Sequence, residues 1–214
     1  MISASAYAVV LGQTDTFEDA TVQGWVVAVG GATSPAPPAN IATGGPAGAN
    51  DNFLQLTSLG GGGAGSRLIA FNLTQWSGNF TTAGITGIKM HLNNSGAEEL
   101  SLRLGVATGV APSSTNLAIS SSAIIVPAGS GWVTAEFLFG GANLTATAGT
   151  VAAALAGATE IRLFHSTSAN FPGSPIAATL GVDNVTAVPE PTALGVIVGA
   201  LLVSHRRWRA FPRT

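Results

Sequence analysis

A chain of 214 residues with a formal net charge of −2 is long enough for one large domain or two small ones. Only 8% of its residues are charged, against about 25% in an ordinary soluble protein, and the absence of cysteine excludes a disulfide framework and thiol chemistry. All ten acidic residues lie at or before Glu190, opposed there by Arg67, Lys89, Arg103 and Arg162 alone, and this excess of six negative charges excludes nucleic acid as a partner.

In chain order, a processing signal comes first. Ala6-Tyr7-Ala8 fits the small-x-small pattern at which secretory signal peptides are cut, so residues 1–8 read as the remnant of a signal peptide whose charged and apolar regions lie upstream. Short extended patterns separated by turn signals follow. Asp15 to Glu18 and Trp25 to Val29 open the series, and a loop rich in Pro, Gly and Ala runs from Gly30 to Asn50. Asn52 to Thr57 and Arg67 to Phe71 flank the run Gly60 to Gly63. No Lys-Ser/Thr follows that run, so it reads as a flexible hairpin connection rather than a phosphate loop. Ile85 to Leu92 comes next. From Leu100 to Val106, Leu and Val alternate with Ser101, Arg103 and Gly105, a period of two that predicts a half-buried strand. Trp132 to Phe139 does the same, with Val133, Ala135, Phe137 and Phe139 on one face. Val151 to Ala156 is briefly helical, and Glu160 to Phe164 and Leu180 to Val188 close the series. About ten short strands in one block predict an all-β fold, a jelly-roll-like antiparallel β-sandwich over residues 9–187.

Aromatic rings flanked by polar groups suit sugar faces, because a ring offers apolar area beside hydrogen-bonding neighbours. Beyond Trp25 the available rings are Trp76, Phe80, Trp132, Phe164 and Phe171, of which Trp76, Trp132 and Phe164 are the candidates for ligand binding, with Asn72, Gln75, Asn79 and Arg67 near some of them in sequence. Glu98, Glu136 and Glu160 are the carboxylates from which a glycosidase pair, about 5 to 10 Å apart, would have to come. His91 and His165 sit in strands without an HExxH pattern, and no Gly-x-Ser-x-Gly elbow occurs, so no catalytic residue is assigned.

Asp15-Thr16-Phe17-Glu18-Asp19-Ala20 with Gly24-Trp25, together with Leu180-Gly181-Val182-Asp183-Asn184-Val185, resembles the first and last strands of jelly-roll carbohydrate-binding modules. The resemblance implies that the terminal strands lie side by side. It also implies a structural calcium held by Glu18 and Asp183, with backbone carbonyls completing the six to eight oxygens that a hard cation takes.

The last 27 residues have another character. Val188-Pro189-Glu190-Pro191 is followed by an apolar run, Ala193 to Val203, and then by Arg206, Arg207, Arg209 and Arg213. As a helix the 11-residue run is only about 16 Å long, short of the roughly 20 residues of a full span. The arginines form a stop-transfer flank, Arg206, Arg207 and Arg209 in particular, with Trp208 and Phe211 at the interface. This order of parts resembles the PEP-CTERM sorting tail of exported bacterial proteins, also labelled the C-terminal domain of ice-binding proteins. The resemblance implies a short hydrophobic helix in residues 188–214, membrane anchoring, and processing near Pro-Glu-Pro by an exosortase. Ice binding itself would want a regular Thr-x-Thr ladder, and Thr145 with Thr147 is the only such pair late in the body.

The expectation is therefore an exported, membrane-sorted protein of the cell surface or extracellular matrix. Its β-sandwich is a non-catalytic binding or structural module associated with exopolysaccharide. Two alternatives stand beside it: a secreted glycoside hydrolase or lyase, and a purely structural biofilm or coat component.

Overall fold

The structure, a computed structural model, describes residues 8–61, 63 and 66–189. Apart from Val188 and Pro189, the expected sorting tail, with Glu190, Pro191, Arg206, Arg207 and Arg209, lies outside the described residues. Thirteen strands run in chain order: β1 (Thr14–Asp15), β2 (Trp25–Val26), β3 (Ala39–Ile41), β4 (Phe53–Leu59), β5 (Ile69–Asn72), β6 (Ile85–Asn94), β7 (Leu100–Thr108), β8 (Asn116–Ser120), β9 (Ile124–Val126), β10 (Trp132–Leu138), β11 (Leu144–Ala148), β12 (Glu160–His165) and β13 (Ala177–Pro189). Among the described residues a single short α-helix, α1 (Val151–Ala156), is capped by the Thr150 side chain, which accepts from the Ala153 amide.

The strands form two antiparallel sheets. Sheet A has the order β10-β6-β13-β4-β3, with β1 also on β13; sheet B has the order β11-β8-β7-β12-β5-β2, with β9 on β7. The fold is thus the antiparallel sandwich that the strand pattern predicts. The first and last strands pair, Thr14 opposite Thr186 and Asp15 opposite Val185, as the resemblance of the termini implies.

The core follows from alternation. Leu54 and Leu56 of β4, Ile88, Met90 and Leu92 of β6, Leu180 and Val182 of β13, and Leu102, Leu104 and Val106 of β7 are all buried in one cluster between the sheets. In β13 the inward set steps from Val182 to Val185, an odd interval. A bulge absorbs it: the pairing with β6 shifts register between Asp183 and Thr186, and Asn184 takes a φ of 51°.

Two expectations are corrected. The Gly60 to Gly63 run does not close a hairpin, because β4 belongs to sheet A and β5 to sheet B; it carries the chain across the sandwich. The stretch Leu100 to Val106 is not half-buried: Arg103 and Gly105 on its other face are buried too. Tertiary cover over sheet B explains this, as described next.

Candidate functional site

The central strands of sheet B are buried on both faces. Every residue of β12 and of β5 is buried. On the face turned away from the core, Ile69, Phe71, Ala107, Leu117, Ile119 and Phe164 form a second apolar cluster. Residues of the connecting loops cap it: Val29, Ala111 and Phe171 all pack there. Phe171 meets Phe164 and Phe71 edge-on, with centroids 5.5 and 6.2 Å apart.

Charge lies under this cover. Arg162 and Glu160 point to the same side of β12, and Arg162 Nε donates to Glu160 Oε1 at 2.5 Å with both side chains almost wholly buried. The Arg162 guanidinium stacks on the Phe171 ring at 4.4 Å and lies 5.9 Å from the Phe71 centroid, and it also donates to Ser114 Oγ. Burial pushes the Glu160 carboxyl up from its ordinary 4.5, against the opposing pull of Arg162. The Ala111 amide eases that shift, yet Glu160 Oε2 closes no hydrogen bond. Arg103, on the neighbouring strand, is spent on the main chain: it donates to the carbonyls of Ser166, Ser120 and Ser121 at 3.0, 2.6 and 2.9 Å.

A cleft of about 240 Å³ opens where the cover is incomplete, walled by Val29, Phe71, Ala111, Pro112, Phe171 and Pro172, with Arg67 at its edge. Phe71 and Phe171 both face the cleft and touch Arg162, so the ion pair sits directly behind the wall.

The three rings singled out in the sequence do not share a surface. Trp76 is fully buried between the sheets, where its Nε1–H and that of Trp25 both donate to Asp15 Oδ2, at 2.7 and 2.8 Å. Phe164 is also fully buried, in the cluster under Phe171. Neither can offer a ring face to a ligand as the structure stands. Only Trp132 is partly exposed, on the outer face of sheet A. Its ring meets Phe53 edge-on at 5.3 Å, and its Nε1–H donates to the Gly44 carbonyl at 2.8 Å. The two rings close over Gly181 of β13, where an added Cβ would lie 2.9 Å from Trp132 Cη2 and 3.3 Å from Phe53 Cδ2.

The three candidate glycosidase carboxylates are also apart. Glu160 lies under the loops of sheet B, Glu136 stands opposite Lys89 on sheet A, and Glu98 is in the turn between β6 and β7. Sequence reading missed the roles of Asp15 and Arg162, and it counted Phe171 among the available rings without singling it out. A pair of tryptophans does not announce a shared acceptor, and Phe171 acts from a loop.

Glu18 and Asp183 do come together. The same edge of β13 pairs with β4 up to Val182 and with β1 from Val185, so Asp183 and Asn184 sit where the partner changes. The end of β1 and the start of β4 meet there. Glu18 Oε1 accepts from the Asn52 amide at 2.9 Å, Asn52 Nδ2 donates to Asn40 Oδ1, and Asn40 Nδ2 donates to the carbonyls of Phe17 and Thr21. Asp183 is 1% exposed and accepts from the amide and side chain of Asn184. Burial, aided by the nearby charges of Asp51 and Glu18, pushes its carboxyl up to about 7. The charges of Asp51 and Glu18 thus both bear on the buried Asp183 at a gap in the sheet. Among the described residues, however, no three His, Cys, Asp or Glu side chains converge closely enough to make a metal site unaided. Amide and carbonyl oxygens would have to complete a calcium shell, and the strand gap is where such oxygens are free of the ladder.

No protein-family model matches the sequence, and no curated protein matches it. Solved structures do match. The family 11 carbohydrate-binding module of Clostridium thermocellum, in complex with a β-1,3-1,4-mixed-linked tetrasaccharide, superposes with a TM-score of 0.51 at 12% identity, over 85% of this chain and 98% of that one. The solution structure of CtCBM11 gives 0.51 at 13% identity, over 88% and 98%. An exo-β-agarase gives 0.54 at 12% identity over 85% of this chain but 26% of the enzyme, so the likeness is to one part of that protein. The chain has the two-sheet antiparallel fold of family 11 carbohydrate-binding modules, and at these identities fold is what the likeness shows.

Proposed function

We propose that the sandwich is a non-catalytic carbohydrate-binding module and that the sugar lies in the cleft on sheet B. The observation that carries this reading is the sunken outer face of that sheet. A sheet face turned away from the core ordinarily meets water; here loops wall it into a trough with aromatic sides and an ion pair behind them. Phe171 gives a sugar ring an apolar face to stack on, in a wall completed by Phe71, Ala111 and Pro112. A hydrolytic role finds little support, since Glu160 has an arginine and not a second carboxylate beside it.

A second reading puts the sugar on Trp132 and Phe53. The part-exposed Trp132 ring, held beside Phe53 over Gly181, favours it. Affinity electrophoresis of the full chain in gels carrying soluble β-glucans or agarose separates the two. Retardation lost in Phe171→Ala and kept in Trp132→Ala supports the cleft, and the reverse supports the tryptophan. A wild-type chain that every polysaccharide leaves unretarded overturns the carbohydrate reading.

Calcium at Glu18 and Asp183 belongs to this proposal as a structural ion. The buried Asp183 carboxyl, pushed up by burial and by the nearby charges of Asp51 and Glu18, supports it, and calorimetry with millimolar calcium that shows neither heat nor a melting shift would remove it. The order of parts in residues 188–214 supports export, membrane anchoring and exosortase processing, followed by residence at the cell surface or in an exopolysaccharide matrix. Mass spectrometry of the C-terminus of the native protein distinguishes a removed tail from a retained one.

A further inference from the structure

Val188 and Pro189 are still strand residues, paired with Gly87 and Ile85 of β6. Only Glu190, Pro191 and Thr192 separate Pro189 from the apolar run that starts at Ala193. Four residue steps reach at most about 14 Å at roughly 3.3–3.6 Å each. No linker of useful length lies between the folded sheet and the run, so whatever holds the run also fixes which end of the sandwich faces it.

That end is distinctive. Hydrogen bonds gather four segments there: Val9 N–H to the Ser77 carbonyl, Gly12 N–H to the Ala187 carbonyl, Phe80 N–H to the Leu155 carbonyl, and Phe139 N–H to the Thr86 carbonyl. None of the residues 8–14, 77–88 and 137–159 that build it carries a charge. Among the large apolar side chains left exposed on the molecule, Val10 at 57%, Leu11 at 48% and Leu138 at 39% lie here, Leu138 across Gly87 from Val188. The acids Glu18, Asp19, Asp51, Glu98 and Glu99 all lie outside those segments. An uncharged apolar end tolerates a bilayer interface, whereas an acidic one is repelled by anionic headgroups and loses hydration there.

We propose that the Val10–Leu11 turn and the Leu138 end of β10 form a lipid-facing surface that seats the sandwich on the membrane while the tail is in place. This rests on the reading of residues 193–203 as a membrane handle, and it adds a fixed orientation that a handle alone does not require. The cleft and the tryptophan face would then be held at the bilayer and not on a tether.

The chain has no cysteine, so single-cysteine variants of the full-length protein take one label each. Leu11→Cys, Leu138→Cys, Glu98→Cys and Ala200→Cys are labelled with an environment-sensitive fluorophore and reconstituted in phosphatidylcholine–phosphatidylglycerol vesicles carrying a lipid-borne quencher. The expected result is a blue shift and loss of fluorescence at positions 11, 138 and 200, with position 98 unchanged. Quenching at position 200 with positions 11 and 138 as aqueous as 98 overturns the orientation and leaves the handle. No quenching at position 200 overturns the handle and the orientation with it.

Discussion

The outer faces of the two sheets, made by the same chain and the same pleat, are opposites. On sheet A, β4 and β10 keep the alternation, burying alternate residues and turning Gln55, Thr134 and Glu136 outward. In the central strands β5, β7 and β12 of sheet B alternation in burial has vanished, because loops cover the second face and trap Arg103, Glu160 and Arg162 beneath them. The difference teaches that a loop-covered sheet face is where a sandwich can hold charge out of water. Such charge is kept only with partners, and Arg162 has four: Glu160, Ser114, Phe71 and Phe171. On the outer face of sheet A the buried carboxylate is Asp183, held by Asn184, and the aromatic pair Phe53–Trp132 meets edge-on over Gly181.

The contrast breaks first at the ion pair. Arg162→Ala leaves Glu160 charged, buried and unpaired, a loss of about 3–5 kcal/mol in unfolding free energy measured by urea titration. The double substitution Glu160→Leu with Arg162→Met is expected to recover most of it, since a packed apolar pair replaces both desolvated charges. No single substitution on the outer face of sheet A is expected to cost as much.

Calcium sharpens the comparison from the other side. If the acids at the β13 partner change hold the ion, calcium at a hundred times its dissociation constant raises stability by about 2.7 kcal/mol. Calorimetric melting of the wild type with and without calcium measures it, and Asp183→Asn is expected to abolish the increment while leaving the cleft on sheet B intact. Gly181→Ala comes next. Its Cβ meets Trp132 Cη2 at 2.9 Å, so the ring must lift, at roughly 1–3 kcal/mol for an overpacked site. Near-ultraviolet circular dichroism would report the displaced tryptophan.

The smallest effect is a pH slope. Burial raises the Glu160 and Asp15 carboxyls above their ordinary values of 4.5 and 3.8. A raised acid binds its proton more tightly when folded. Its contribution is therefore complete below the ordinary value and is lost as pH rises through the folded one. Stability should accordingly fall as pH climbs from about 4, and Glu160→Gln should flatten the part of that slope that belongs to sheet B. Urea midpoints across that range check the sign.

Several features were legible in the residues themselves. The period of two in Leu100 to Val106 and in Trp132 to Phe139 follows from strand geometry, and it placed those strands and their inward sets. The short helix at Val151 to Ala156 and the pairing of the first and last strands were also readable. The strands β3, β8, β9 and β11 were not, because runs of three to five residues leave little trace in a sequence rich in Gly, Ala, Ser and Thr.

Local pattern determines which residues of a strand share a face, since the backbone alone sets that alternation. It does not determine what covers the face. Whether Trp76 meets a ligand or Asp15, whether Phe164 is exposed or capped by Phe171, and whether Arg162 sees water or a carboxylate all depend on segments distant in the chain. Tertiary structure alone decided those, because burial is a property of the packed sheets and their loops, and only packing joins residues 15 and 76, 164 and 171, or 18 and 183.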